Sequence, residues 1–440
     1  MKNTKILLVF LFVGINSAFA IGGEDSAFTK YSPIEVVCTE ANLDIFSVPK
    51  LEESESVATA NGKYTNQEYS SPDEPSALQL YKYCIDELFV GLPTRFKKFF
   101  YKKPALCKKF AKQICKDCEH DLDKEEEKKT NKKKHDSIIK SFIQKSEISE
   151  TSIKPKITWF QHSSFLIQIS GINILVDPVF CPIKGCPAIF ELVYKPEDLP
   201  PVIDVVLISH NHVEHLDIKS LRAVQKRYPH AVVCVPVGDG NAVKEKCEFK
   251  NVYEFGWQNK LSCSKTDPEA DKVTFTFLPT IHWSVSSISP KSMNTSHWGS
   301  WMISSKNFNI YFSADTHYNK KLFEDIKKQF LNIDVAIMGI GPNGPPKSVD
   351  FVHLNAERAV QAFIDLNADR FIPCHWGTYK LGTDYFIEPL EKLALSWFEN
   401  LELLQNKKMC LLPFGGNVEF GFRQEGPHES LDTFYFAKAS

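Results

Sequence analysis

The chain of 440 residues has room for one large domain and a substantial second region. Its charges nearly cancel, to a formal net −2, which excludes a polyanion binder that works by bulk charge. An apolar share of 43% is ordinary for a soluble globular protein, and the 33 Phe and seven Trp either fill its core or line an apolar cleft.

Residues 1–20 read as a signal peptide rather than an uncleaved membrane anchor. Lys2 and Lys5 give a positive start, Ile6 to Ile15 is a short apolar run, and Ala18-Phe19-Ala20 offers small residues at a cleavage site. No later segment has the ~18 continuous apolar residues of a membrane-spanning helix. The expectation is an exported protein, periplasmic or secreted.

Residues 21–75 are polar and rich in Ser, Glu and Asn. The pattern over 77–118 is helical, broken at Gly91-Leu92-Pro93 and at Pro104. Within it, residues 95–110 interleave lysines with Phe96, Phe99, Phe100, Tyr101 and Phe110. Such a stretch either lies on an anionic membrane surface or packs its rings on the main domain with the lysines in water, and the second is the commoner arrangement. Cys115 and Cys118 fit a disulfide or reduced thiols better than a zinc half-site, because no second such pair answers them. Cys181 and Cys186 bracket a loop and could be bridged. An acidic block running into a basic one over 119–136 reads as a solvated linker. The expected boundary lies near 150, giving a partly helical extension over 21–150 and the main domain over 151–440.

From Ile157 the texture changes. Residues 157–160, 164–169 and 174–176 read as strands, with a hairpin turn at Gly171-Ile172-Asn173. Val202 to Ile208 reads as a buried strand, 218–227 as a helix and 231–236 as a strand. Further strands are expected at 273–278, 299–303, 309–313, 335–339 and 370–373, with a helix at 356–366. Strands in runs as well as in alternation with helices predict an α/β domain of two sheets with helices outside, a four-layer αββα sandwich.

The polar residues able to do chemistry follow strands. His210, His212, Glu214 and His215 come directly after the apolar run ending at Ile208. Imidazole nitrogen and carboxylate oxygen suit zinc, iron or manganese. Four such groups in six positions at a strand end are a strong metal signal. His282, Asp315 and His375 each follow a later strand.

The run His210-Asn211-His212-Val213-Glu214-His215 resembles the His-x-His-x-Asp-His motif of the metallo-β-lactamase superfamily. Trp159-Phe160-Gln161-His162, Val176-Asp177-Pro178, His297-Trp298-Gly299-Ser300-Trp301, Gly339-Ile340-Gly341, Val352-His353 and His375-Trp376-Gly377-Thr378 are similar to the N-acylphosphatidylethanolamine-hydrolysing phospholipase D family. The resemblance covers roughly 155–420. It implies an αββα fold, two zinc ions (iron or manganese as alternatives), and a phospholipid substrate cut to N-acylethanolamine and phosphatidic acid. By resemblance, His210, His212 and His282 hold one metal. Glu214, His215 and His375 hold the other, and Asp315 bridges. Glu214 or Asp315 would orient the nucleophile, and His353 lies near the substrate phosphate.

Three positions depart from the family pattern. Glu214 stands where the family has Asp, one methylene longer and so reaching about 1.5 Å further. Gln161 replaces a common Gly, and His317 replaces the Gly after Asp-Thr. His317 is either a polar contact at the cleft or a surface loop residue. His353 either donates to a phosphate oxygen or leaving alkoxide, or makes a structural hydrogen bond opening the helix at Asn355. Asp177 and Asp217 either accept from the free ring nitrogens of ligand histidines or cap local turns. Trp283, Trp298, Trp301 and Trp376 either wall the cleft or pack the sheets together. Cys374 reads as a buried strand-end thiol rather than a soft ligand. A metal-dependent lactonase, esterase or amidase and a binding protein with an impaired metal site are the competing readings. A nucleic-acid partner is not expected, since no basic stripe accompanies the site.

Overall fold

The strands over 164–169, 172–176 and 232–236 are buried along their whole length, so each must be covered on both sides. The computed structural model describes residues 44–47, 139–183, 188–265, 272–286, 294–344, 351–422 and 434–436. The signal-peptide-like start, the helical reading of 77–118 with its basic stretch 95–110, Cys115, Cys118, the linker 119–136 and Cys186 lie outside these residues.

In chain order the elements are β1 (Asp44–Ser47), β2 (Lys156–Gln161), β3 (Ser164–Ile169), β4 (Ile172–Val176), β5 (Val205–Leu207), α1 (Ile218–Arg227), β6 (Val232–Pro236), α2 (Gly240–Cys247), β7 (Val252–Phe255), β8 (Lys260–Ser264), β9 (Val273–Leu278), β10 (Ser300–Ser305) and β11 (Phe308–Phe312). They continue as α3 (Lys320–Gln329), β12 (Val335–Gly339), α4 (Ala356–Leu366), β13 (Arg370–Cys374), α5 (Glu388–Glu399), β14 (Lys408–Leu411), β15 (Asn417–Glu419) and β16 (Phe434–Phe436). One sheet has the order β15-β2-β3-β4-β5-β6-β7, and the other β1-β8-β9-β10-β11-β12-β13-β14-β16.

Strand alternation sorts the side chains into layers. Phe165, Ile167, Ile174, Val205, Leu207 and Val232 point between the sheets and meet Phe275, Phe277, Trp301 and Phe312. Their neighbours Leu166, Leu175, Val206, Val233 and Val235 point outward and are covered by Leu221 and Val224 of α1 and Val243 of α2. On the far side, Phe323 of α3, Val360 and Phe363 of α4 and Trp397 of α5 pack on the second sheet. The four-layer αββα sandwich is therefore what forms. Among the described residues no helix is long and apolar enough to cross a membrane.

Boundaries differ from the sequence reading in several places. The strand expected over 202–208 is only Val205–Leu207, and Val202 is exposed. The turn joining β3 to β4 is Ser170-Gly171, with φ of 51° and 76°, because a two-residue hairpin loop of this hand needs positive φ at both positions. Ile172 and Asn173 already belong to β4. The packed domain also begins earlier than 151. Gln144 and Ser146 donate backbone N–H bonds to the carbonyls of Phe414 and Gly415, and the Phe142 ring stands edge-on to Trp376 at 5.9 Å.

Candidate metal centre

Strand ends at one edge of the two sheets supply the site. His162 follows β2, Asp177 follows β4, and His210 to His215 follow β5. His282 follows β9, Asp315 follows β11 and His375 follows β13, while His353 lies in the segment leading into α4. Each chain leaves its sheet there with a sharp change of direction. His162, Asp177, Ala314 and His375 accordingly have φ of 51°, 41°, 49° and 58°. These are left-handed values that cost a non-glycine residue of order 1 kcal/mol or more and that cluster at functional sites.

Asp315 is the centre of the arrangement. His375 Nε2 lies 3.1 Å from its Oδ1. From its Oδ2, His215 Nε2 lies at 3.3 Å, His353 Nδ1 at 3.5 Å, His282 Nε2 at 3.8 Å and His210 Nε2 at 3.9 Å. His212 turns its Nδ1 to within 3.3 Å of His282 Nε2. Two imidazole nitrogens sharing a tetrahedral zinc at 2.0–2.1 Å would sit about 3.3–3.4 Å apart.

Bonds from behind decide which ring nitrogen faces inward. His282 Nδ1 contacts the Val352 carbonyl and His375 Nδ1 the Gly341 carbonyl, both at 2.8 Å. An acceptor-only carbonyl requires Nδ1–H there, which leaves Nε2 with its lone pair. Asp177 serves two ligands at once. Its Oδ2 accepts from His215 Nδ1 at 2.8 Å and from Ser209 Oγ at 2.6 Å. Ser209 Oγ, its proton committed to Asp177, then accepts from His210 Nδ1 at 2.9 Å.

The donor set fits a metal. Nε2 of His210, His215 and His375 and Oδ2 of Asp315 are buried with no partner of hydrogen-bond geometry among the described residues. Each such atom costs roughly 1–3 kcal/mol if nothing binds it. Burial pushes His210 and His212 well below the usual imidazole range and His282 to about 3, so these rings are neutral, the form that coordinates. Burial would raise the Asp315 carboxyl, but His375 and His215 outweigh it and hold it well below the usual carboxylate range. Burial would lower His215, but Asp315 and Asp177 outweigh it and raise it.

Candidate ligand atoms fall into three close groups: His210, His212, His282 and Asp315; His162, His215 and His375; and Asp315, His353 and His375. Six of the seven residues expected from the motif are thus brought together. Glu214 is buried nearby, and burial raises its carboxyl, but it joins none of these groups. His162, singled out by the sequence only as part of a motif, takes a place among them. His353 is the least buried of the imidazoles around Asp315, with 17% of its side chain exposed, and so faces the open side. The helix at α4 is instead capped by Asn355, whose Oδ1 accepts from Arg358 N–H at 2.8 Å.

Asp177 orients the His215 ring directly and the His210 ring through Ser209. Asp217 does not: its carboxylate accepts from the Lys219 and Ser220 N–H groups and caps α1. Trp283 stands at the site, its ring 4.0 Å from His212. Trp301 is wholly buried between the sheets, and Trp376 is buried and packs on Trp159 and Phe414. Trp298 is buried too, its Nε1 donating to the Thr280 carbonyl. His317 is half-buried, its backbone N–H bonded to the Ile281 carbonyl, and lies outside the ligand groups. Cys374 ends β13 as a buried thiol whose burial keeps it protonated. Sequence reasoning missed Ser209, and also Asn211 and Asp239. Asn211 Nδ2 donates to Asp239 Oδ1 at 2.9 Å and its Oδ1 accepts from Val285 N–H at 2.7 Å, tying the ligand run to the loop after His282. The polarity of Asn211 inside that run was the available signal.

Residues 172–376 match the model of the beta-lactamase superfamily domain. An uncharacterized protein of Mycobacterium tuberculosis is 30% identical over 248 residues, which are 54% of this chain and 62% of that protein. N-acyl-phosphatidylethanolamine-hydrolyzing phospholipase D 1 of Caenorhabditis elegans is 28% identical over 247 residues, 54% of this chain and 68% of that protein. The mitochondrial protein of the same name from Saccharomyces cerevisiae is 31% identical over 246 residues, 54% of this chain and 51% of that protein. The chain thus spans about three-fifths of the mycobacterial relative and half of the yeast one. The two-sheet sandwich thus carries, over residues 172–376, a match to the beta-lactamase superfamily domain, and the chain is similar to the N-acyl-phosphatidylethanolamine-hydrolyzing phospholipases D.

Proposed function

We propose that this protein is a metal-dependent phosphodiesterase that hydrolyses N-acylated phosphatidylethanolamines to N-acylethanolamine and phosphatidic acid. The observation that carries the metal-dependent part is Asp315 ringed by five imidazoles within 4 Å. The similarity to the nematode and yeast phospholipases supports the substrate. The residues fit two divalent ions, zinc first with iron or manganese as alternatives, and these would polarise a phosphoryl oxygen and acidify water.

His210, His212 and His282 would hold one ion, His215 and His375 the other, with Asp315 shared between them. Asp177 and Ser209 keep two of these rings in one tautomer, so no reorganisation is needed as charge develops. In the reaction the oxygen of water joins phosphorus, and the N-acylethanolamine oxygen leaves with a proton. His353, on the open side, is placed to hold that proton or to bond a phosphate oxygen. Burial lowers its pKa well below the usual imidazole range, so the ring is neutral and its N–H suits a hydrogen bond to a phosphate oxygen better than holding the proton. The half-buried Trp283 offers an apolar wall beside His212. The basic stretch 95–110 supports contact with an anionic lipid surface, and the signal-peptide-like start supports export.

The test is mass-spectrometric product analysis on detergent-dispersed N-acylphosphatidylethanolamine. Wild type is expected to release N-acylethanolamine and phosphatidic acid, and Asp315→Asn to lose at least about a hundredfold in rate. Turnover of soluble esters or lactones without any lipid product would overturn the substrate assignment.

A further inference from the structure

The hairpin between β2 and β3 is held tighter than its sequence suits. Gln161 pairs with Ser164, so the loop is His162-Ser163, and His162 takes φ 51°. Glycine is the residue that meets positive φ at the first position of such a turn without strain. Here the position holds an imidazole that is 2% exposed.

The backbone of His162 is tied on several sides. Its N–H donates to Thr378 Oγ1 at 2.9 Å. Its carbonyl accepts from Trp159 Nε1 at 2.9 Å and from the His375 N–H at 3.1 Å. These bonds seat the ring against His375, with centroids 4.0 Å apart, and 5.4 Å from His215. One ring nitrogen of His162 lies within 4.8 Å of donor nitrogens of both His215 and His375. Nε2 of all three rings is buried without a hydrogen-bond partner among the described residues.

Two separate costs therefore fall on one residue: a left-handed backbone and an unpartnered buried nitrogen. A core histidine would relieve at least one of them. Both are accounted for if the nitrogen has a cation to bind. Glu214, the residue that the motif assigns to this position, enters none of the close groups.

We propose that His162 is a protein ligand of the second metal position, completing with His215, His375 and Asp315 the set that Glu214 does not. This rests on the metal-site reading given above. Replacing a carboxylate by an imidazole makes the position richer in nitrogen and one negative charge poorer. That favours zinc over ions that prefer oxygen.

The test counts metal rather than turnover. Metal-free protein is reconstituted with Zn²⁺, passed through gel filtration and measured by plasma mass spectrometry, beside His162→Gly and Glu214→Gln. Wild type is expected to keep two ions per chain, Glu214→Gln two and His162→Gly one, with the second ion bound at least tenfold more weakly. Glycine suits the turn, so metal-free His162→Gly should melt no lower than metal-free wild type. Two ions in His162→Gly at unchanged affinity would overturn the assignment, as would loss of an ion in Glu214→Gln alone. A lower melting temperature of the metal-free variant with both ions kept would assign His162 to packing. Fewer than two ions in wild type would overturn the metal-site reading together with this one, whereas two ions without lipid turnover would sink only the substrate.

Discussion

Asp239 shows how a single buried carboxylate shapes this site. Its Oδ1 accepts from Asn211 Nδ2 at 2.9 Å and from Ser296 Oγ at 2.7 Å, while its Oδ2 has no partner among the described residues. Burial pushes the carboxyl up to about 7. A carboxyl whose pKa is raised by folding binds its proton more tightly in the folded state. Its ionisation therefore costs nothing below about pH 4 and costs progressively more up to about pH 7, so stability falls as pH rises through that window. Asp239→Asn keeps the acceptor for Asn211 and removes the charge. It is expected to leave stability at pH 4 nearly unchanged and to raise it at pH 8 by about 1–4 kcal/mol, read from urea unfolding at the two pH values. Equal stability of variant and wild type at pH 8 would show that Asp239 ionises without cost.

At the scale of elements, strands supply the positions and helices supply the cover. α4 buries Ala356, Ala359, Val360, Phe363 and Leu366, a stripe at helical spacing, against the second sheet. β10 contributes Trp301, whose ring packs 5.0 Å from Phe255 and 4.8 Å from Phe277, with Nε1 donating to the Ile208 carbonyl at 3.1 Å. That bond joins the two sheets directly below the ligand run. Trp301→Ala is expected to lower unfolding free energy by about 3–5 kcal/mol in denaturant titration, as for other buried tryptophans. A variant that unfolds like wild type would place Trp301 outside the core. Its sequence context, flanked by His297 and Trp298, had equally allowed a cleft wall. The choice fell to the core because alternation in β10 turns residue 301 toward the facing sheet.

The whole molecule brings its ligands together only when both sheets are formed, since His210 and His375 belong to different sheets. Metal binding should therefore stabilise the folded state alone, by RT ln(1 + [L]/Kd), or about 2.7 kcal/mol at a hundredfold excess over Kd. Chelation is expected to lower the melting temperature, and added Zn²⁺ to restore it in a concentration-dependent way. A melting temperature indifferent to both would contradict a metal bound by the folded state. Much of this architecture was already readable. Short apolar runs marked β3, β4, β6, β9, β12 and β13, because a strand covered on both faces is apolar along most of its length. The order of His210, His212, His215, His282, Asp315 and His375 after strands marked the candidate donors that the fold places close together. The shorter strands β7, β14 and β15, with four, four and three residues, carry too little pattern to be read that way.

The sequence by itself determined the chemistry on offer: imidazoles and the carboxylates of Glu214 and Asp315 at strand ends, and the αββα class that carries them. Only the tertiary structure decided which donors meet. Asp217 caps a helix although it lies two residues from a ligand, and Glu214 stays out of the ligand groups although it lies within the motif. His162, far from the others in the chain, joins them. The physical reason is that a side chain leaving a strand is aimed by its pairing register and by the φ of the turn that follows. Both are set by contacts with residues distant in sequence, and no local pattern records them.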